Sequence, residues 1–169
     1  TGQPGLPSRW TLVVRDAFNG KLLWKKRLAN CPPRKCVVAA GDRLCLASGR
    51  RSPIAVLDAA TGKKLLTCPR TEGTDEMVVV GTTAIAHVRG SRRSKDGLDD
   101  SIVAVDVTSG KRLWETPSRH IIRNTLAAAD ERVFFHDGKQ VVCLRLQDGK
   151  PRWRKPCSAS ARGGMLMVY

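Results

Sequence analysis

Short apolar runs separated by polar turns fill the chain from Trp10 onwards. The clearest case is Ile102 to Trp114, Ile-Val-Ala-Val-Asp-Val-Thr-Ser-Gly-Lys-Arg-Leu-Trp. β-forming residues run up to Asp106, a polar loop ends at Gly110, and a second run ends on Trp114. That order predicts a strand, a tight turn and a second strand. An Asp carboxylate accepts hydrogen bonds from amides two residues on and so starts a turn. Gly takes the positive φ that closes a hairpin of this length. Trp closes the second strand with a large apolar area to bury.

The same order recurs at Asp16 to Gly20 with Trp24, at Asp58 to Gly62 with Leu66, and at Arg145 to Gly149 with Trp153. The glycines at 20, 62, 110 and 149 are 42, 48 and 39 residues apart. A strand-built repeat of about 40–50 residues predicts a β-propeller of four-stranded antiparallel blades. The divisions read from the pattern are a half blade over 9–28, blades over about 37–67, 76–115 and 125–155, and the start of a further blade at 163–169. The longer spacing comes from an insertion over 89–101, whose basic Arg89, Arg92, Arg93 and Lys95 precede Asp96, Asp99 and Asp100. It reads as a loop at a blade end, open to solvent or available for binding. In the last copy Arg145 stands where the others have Asp, and Asp148 is placed to compensate.

Composition adds further constraints. Of four Trp, three occupy the repeat position, so Trp24, Trp114 and Trp153 are expected to be structural anchors. The formal net charge is +15, from 30 Lys and Arg against 15 Asp and Glu. Many of these bases follow the repeat glycines, on the predicted outermost strand, where they deter edge-to-edge pairing. The excess also favours anionic partners. No apolar run is long enough for a transmembrane helix. No signal peptide is visible and the first residue is Thr, which points to a cut N-terminus or to a segment of something longer. The six cysteines match no zinc spacing. Cys45 and Cys143 fall in strand-like runs and read as small core residues. Cys31, Cys36, Cys68 and Cys157 fall in predicted loops; Cys31 and Cys36 are near enough to pair, and the disulfide state of the four stays open.

The copies resemble the PQQ-like (pyrroloquinoline-quinone-type) propeller repeat. That repeat is found in eight-bladed quinoprotein dehydrogenases and in the propeller lipoprotein of the outer-membrane β-barrel assembly machinery. The resemblance rests on Asp58-Ala-Ala-Thr-Gly-Lys63, Asp106-Val-Thr-Ser-Gly-Lys111 with Trp114, and Asp16-Ala-Phe-Asn-Gly-Lys21 with Trp24. It implies that Trp24, Trp114 and Trp153 pack between neighbouring blades and that Leu66 makes a weaker contact. It also implies a cell-envelope or periplasmic setting. Eight such units need about 340 residues, so the chain is expected to be an incomplete arc of a seven- or eight-bladed ring, the other blades lying in missing sequence. A small ring of four units is the alternative.

The dehydrogenases of this family carry two adjacent cysteines against the quinone, a calcium site of carboxylate and amide ligands, and a catalytic Asp. The chain has no adjacent cysteines and no C-x-x-C-H haem site. It has no Ser-His-Asp spacing, P-loop or dinucleotide glycine motif either. The expectation is a non-catalytic scaffold without cofactor that binds a protein, peptide or anionic ligand. One alternative is a segment of a quinoprotein oxidoreductase with quinone and calcium. Another is an electrostatic binder of nucleic acid or another polyanion, for which the scarcity of aromatics argues against base stacking. Binding is expected on the face that carries the blade-to-blade links and the insertion, with Arg70, Arg89, Arg92, Arg93, Arg119, His120 and Arg123 as candidates. His87 and His136 read as structural residues with paired nitrogens.

Overall fold

The computed structural model describes residues 10–33, 35–49, 52–90 and 100–158. Among these there are strands and turns and no helix. The strands form four antiparallel sheets in chain order. A two-stranded hairpin comes first, β1 (Trp10–Arg15) with β2 (Leu22–Leu28). The second sheet holds β3 (Val37–Ala40), β4 (Arg43–Leu46), β5 (Ile54–Asp58) and β6 (Lys64–Cys68). The third holds β7 (Thr74–Val80), β8 (Thr83–Arg89), β9 (Asp100–Asp106) and β10 (Arg112–Ser118). The fourth holds β11 (Ala127–Ala129), β12 (Arg132–His136), β13 (Gln140–Arg145) and β14 (Pro151–Pro156). Each four-stranded sheet is a simple meander, and β3 neighbours β7 as β7 neighbours β11. These are the blades of a β-propeller, with the first strand of each innermost.

The repeat turns form for the reasons their residues supply. Asp58 Oδ1 accepts from Thr61 N and Thr61 Oγ1, both at 2.7 Å. Asp106 Oδ1 does the same for Thr108, at 2.7 and 2.6 Å. Asp16 Oδ1 accepts from the amides of Phe18 and Asn19. In the Arg145 copy, Asp148 takes over: it accepts from Lys150 N at 3.0 Å and pairs with the Arg145 guanidinium at 2.6 Å. Each of the four hairpins carries a register shift next to the turn. Such a bulge twists the outer pair and lets the glycine close the loop.

No single sheet owns the core. Leu44, Leu46 and Leu57 of the second sheet receive Leu12, Val14, Trp24 and Leu28 of the first. Cys45, Val56 and Cys68 of the second meet Met77, Ala84 and Val105 of the third. Ile85, Ile102 and Trp114 of the third meet Val133, Phe135 and Leu144 of the fourth. Burial therefore accumulates blade on blade, as in a repeat protein whose units cannot bury a face alone.

The indoles lie across these joints. Trp24 Nε1 donates to Ala59 O in the second sheet at 2.8 Å. Trp114 Nε1 donates to Leu146 O in the fourth at 2.7 Å. Each ring covers the glycine of the next blade's turn: a Cβ on Gly62 would stand 2.7 Å from Trp24 Cδ2, and one on Gly149 would stand 2.6 Å from Trp114 Cδ2. Leu66 takes the same place over Gly110, where a Cβ would meet Leu66 Cδ1 at 3.3 Å. Trp153 differs: it is 44% exposed and its ring is tilted against Phe134 of its own sheet, centroids 6.0 Å apart.

Several expectations are corrected. Arg89, Asp100 and Ser101, placed at the ends of the insertion, are strand residues, with Arg89 paired to Asp100 at the ends of β8 and β9. Arg92 and Arg93 of the insertion lie outside the described residues, as do 163–169. Strand β7 begins at Thr74, just before the expected blade start at about 76, so Asp75 and Glu76 are both strand residues. Cys36 lies in the loop before β3 as expected but is fully buried, and Cys68 is the fully buried last residue of β6 rather than a loop residue. All six cysteines are free thiols, Cys31 and Cys36 included. Burial, with the nearby Asp75 and Glu76 charges, pushes the Cys36 thiol up to about 12, and burial pushes Cys68 to about 11. They pack as small apolar groups rather than as thiolates.

Candidate functional site

Polar residues gather where the innermost strands of three blades start. Lys35 precedes β3, Asp75 and Glu76 open β7, and Arg123 and Asn124 precede β11. With Pro33 they line a hollow of about 190 Å³. Glu76, with a side chain 3% exposed, accepts from Lys35 Nζ at 2.9 Å and from the Asn124 amide at 2.9 Å. One carboxylate thus ties the second, third and fourth blades together. Asp75 Oδ2 sits 2.6 Å from Arg123 Nε and 4.0 Å from Arg89 Nη1. That oxygen lacks a well-directed hydrogen bond, so charge attraction holds the contact.

A second group lies beneath the link after β10. Asp100 Oδ2 accepts from the Ile121 amide at 2.8 Å, and is 3.4 Å from His87 Nε2 and 3.9 Å from His120 Nδ1. His87 is completely buried and neither ring nitrogen has a hydrogen-bond partner. Burial pulls its pKa below the usual 6.5, against the opposing pull of Asp100, Asp75 and Glu76. The imidazole is therefore neutral, which corrects the expectation of a satisfied histidine. His136 does meet that expectation. Its Nδ1 accepts from the Gly138 amide and its Nε2 bonds Cys157 O, both at 2.9 Å, which identifies the Nε2–H tautomer.

The candidates from the sequence are thus divided. Arg123 joins the axial group, and Arg89 reaches its edge. Arg119 and His120 line a separate hollow of about 340 Å³ between the third and fourth blades. Arg70 is exposed in the link after β6, with φ of 60°, and joins neither group. Lys35, Asp100, Lys139 and Arg154 were not foreseen as site residues. Lys35 follows a Pro-Pro loop and Arg154 sits in a charged edge strand, where bases are expected for other reasons.

The buried carboxylates near the blade starts already have partners within the protein. Glu76 accepts from Lys35 and Asn124, and Asp100 from the Ile121 amide. Among the described residues no three His, Cys, Asp or Glu side chains converge as metal ligands.

Solved structures repeat the architecture. BamB from Moraxella catarrhalis superposes with a TM-score of 0.64 over 88% of this chain and 44% of its own, at 19% identity. The quinohemoprotein alcohol dehydrogenase ADHIIG from Pseudomonas putida HK5 gives 0.53 over 71% of this chain and 20% of its own, at 16% identity. The computationally designed Ika4 protein gives 0.58 over 77% of this chain and 86% of its own, at 11% identity. The chain therefore spans less than half the length of the two natural structures, and the likeness to all three is one of fold. No curated protein sequence matches it. Residues 10–168 match the profile of the family described as outer membrane protein assembly factor BamB, and the chain belongs to that family.

Proposed function

We propose that this chain is a non-catalytic propeller scaffold of the bacterial cell envelope that binds a protein or peptide partner through its inter-blade links. Membership in the BamB family is the observation that carries the reading, since it attaches this repeat to an assembly factor. The distribution of charge supports it. Arg70 and Arg119 are exposed on links between rigid sheets, which is where scaffolds place binding groups. Their guanidiniums suit carboxylates of an acidic partner through forked hydrogen bonds. Trp24 and Trp114 serve this scaffold as inter-blade docks that hold the links in register, and Trp153 is offered to a further blade.

Site-specific photo-crosslinking tests the proposal. Probes at Arg70 and Arg119 sample the link face, and probes at Asn19 and Thr61 sample the turn face. The proposal predicts a discrete partner captured in the envelope from the link positions and not from the turn positions. Capture from the turn face alone, or from neither, contradicts it. The same reading requires no cofactor, so adding pyrroloquinoline quinone and calcium leaves the melting temperature unchanged; a saturable rise in it would favour the dehydrogenase reading instead.

A further inference from the structure

We infer that the hollow between the third and fourth blades is a binding site for a small organic acid, a carboxylate carried on a compact apolar body. The inference concerns a ligand of the scaffold itself and holds whether or not a partner docks on the links.

The hollow has a local cause. At the turn end of this joint Trp114 fills the space between sheets, and Thr116 Oγ1 closes it with a bond to Gly149 O at 2.8 Å. Beyond that point β10 has only Pro117 and Ser118 to offer. Ser118 turns back on its own link and donates to His120 O at 2.9 Å. The first joint is filled at the matching place. Leu28 stands four residues after Trp24, as Ser118 stands four after Trp114, and Leu28 packs on the leucines of the second sheet. One joint is sealed by a leucine while the other is left open.

The lining of the opening is apolar below and cationic above. Phe135, Val142 and Leu144 form the floor, and all three belong to the buried core between these blades. Arg119, Lys139 and Arg154 stand around it, with His120 beside the Gly138 turn. Among the described residues none of these three bases is within ion-pair distance of a carboxylate, whereas Arg112, Arg123, Arg132 and Arg145 each have one. The one acid in the lining, Asp137, is occupied by its own turn. It accepts from the Lys139 and Gln140 amides at 2.9 and 3.0 Å and from Gln140 Nε2 at 2.8 Å. Three bases with no ion-pair partner among the described residues therefore line one hollow over an apolar floor. An anion satisfies the rim, and an apolar body on it covers the exposed Pro117 ring and the aliphatic stems of the bases above the already buried floor. The volume of about 340 Å³ is at the small end of ligand pockets, which limits the body to roughly one ring or a short chain.

The test uses benzoate and hexanoate as probes, with benzyl alcohol lacking the charge and sulfate lacking the body. Calorimetry and amide chemical shifts of the 169-residue chain are the readouts. The inference predicts saturable binding of both carboxylates, with shifts at 116–120 and 135–144. It also predicts at least tenfold weaker binding of both controls. Ser118→Leu, which copies the sealed joint, abolishes binding, and the surface change Arg154→Gln weakens it several-fold. Carboxylate binding unchanged by both variants, sulfate binding as tight as benzoate, or no saturable binding by either carboxylate overturns the inference.

Discussion

At the β11–β12 turn, Asp130 and Glu131 have φ of 47° and 60°, a left-handed backbone that glycine adopts without steric cost. Asp tolerates it better than Glu, whose side chain offers no local hydrogen bond there. Glu131→Gly therefore stabilises the fold by about 1 kcal/mol, seen as a higher urea midpoint at unchanged slope. A lower midpoint would show that the Glu131 side chain makes a contact worth more than the strain. His87 carries a pH effect of definite sign. Burial keeps its folded pKa below 6.5, so the unfolded chain takes up a proton that the folded chain refuses. The stability tied to this group is complete above pH 6.5 and is lost as the pH falls toward the lowered folded value. Asp100, Asp75 and Glu76 face the ring and limit the loss. His87→Gln removes the titration, so its stability declines less between roughly pH 7 and pH 5 than that of the parent. Parallel declines in the two proteins would show that the imidazole accepts its proton in place.

Between elements, the joint formed by an indole over the next blade's glycine can be separated from the glycine's own conformational need. Gly20 and Gly149 have φ of 72° and 68°, but a Cβ at Gly20 meets nothing within 4 Å while one at Gly149 meets Trp114. Alanine at either position costs the left-handed conformation, about 1–2 kcal/mol. Only Gly149→Ala adds the overpacking of Trp114, about a further 1–3 kcal/mol. Equal losses by chemical denaturation would mean that the indole yields freely and does not fix the blades. This scale was the most legible in the sequence. The Asp–Gly turns and the residue four positions on announce themselves through backbone chemistry that is local. Strand ends were less legible. Thr74, Glu76 and Asp100 look like loop residues, but each is buried by a hydrogen bond to a chain segment outside its own hairpin or to a neighbouring link. Polarity at a blade end thus misreports burial whenever another blade supplies the partner.

For the whole molecule, charge was easy to count and hard to place. The surplus of bases predicted an anion-seeking surface, but which bases remain free depends on acids far away in sequence. Arg123 is neutralised by Asp75, 48 residues earlier, while Arg119, four residues before it, has no such partner among the described residues. The hollow beneath Arg119 depends on a comparison of joints, Leu28 against Ser118, that has meaning only once the blades are stacked. The fold itself rests on stacking across joints, and the four indoles report on it individually. Hydrogen exchange of the indole Nε1 protons, resolved by NMR, tests this most directly. Trp24 and Trp114, bonded to carbonyls of the next blade, are predicted to exchange far more slowly than Trp10 and Trp153, which are 47% and 44% exposed. Four indole protons exchanging at one common, rapid rate would contradict the interlocked blades and everything argued from them.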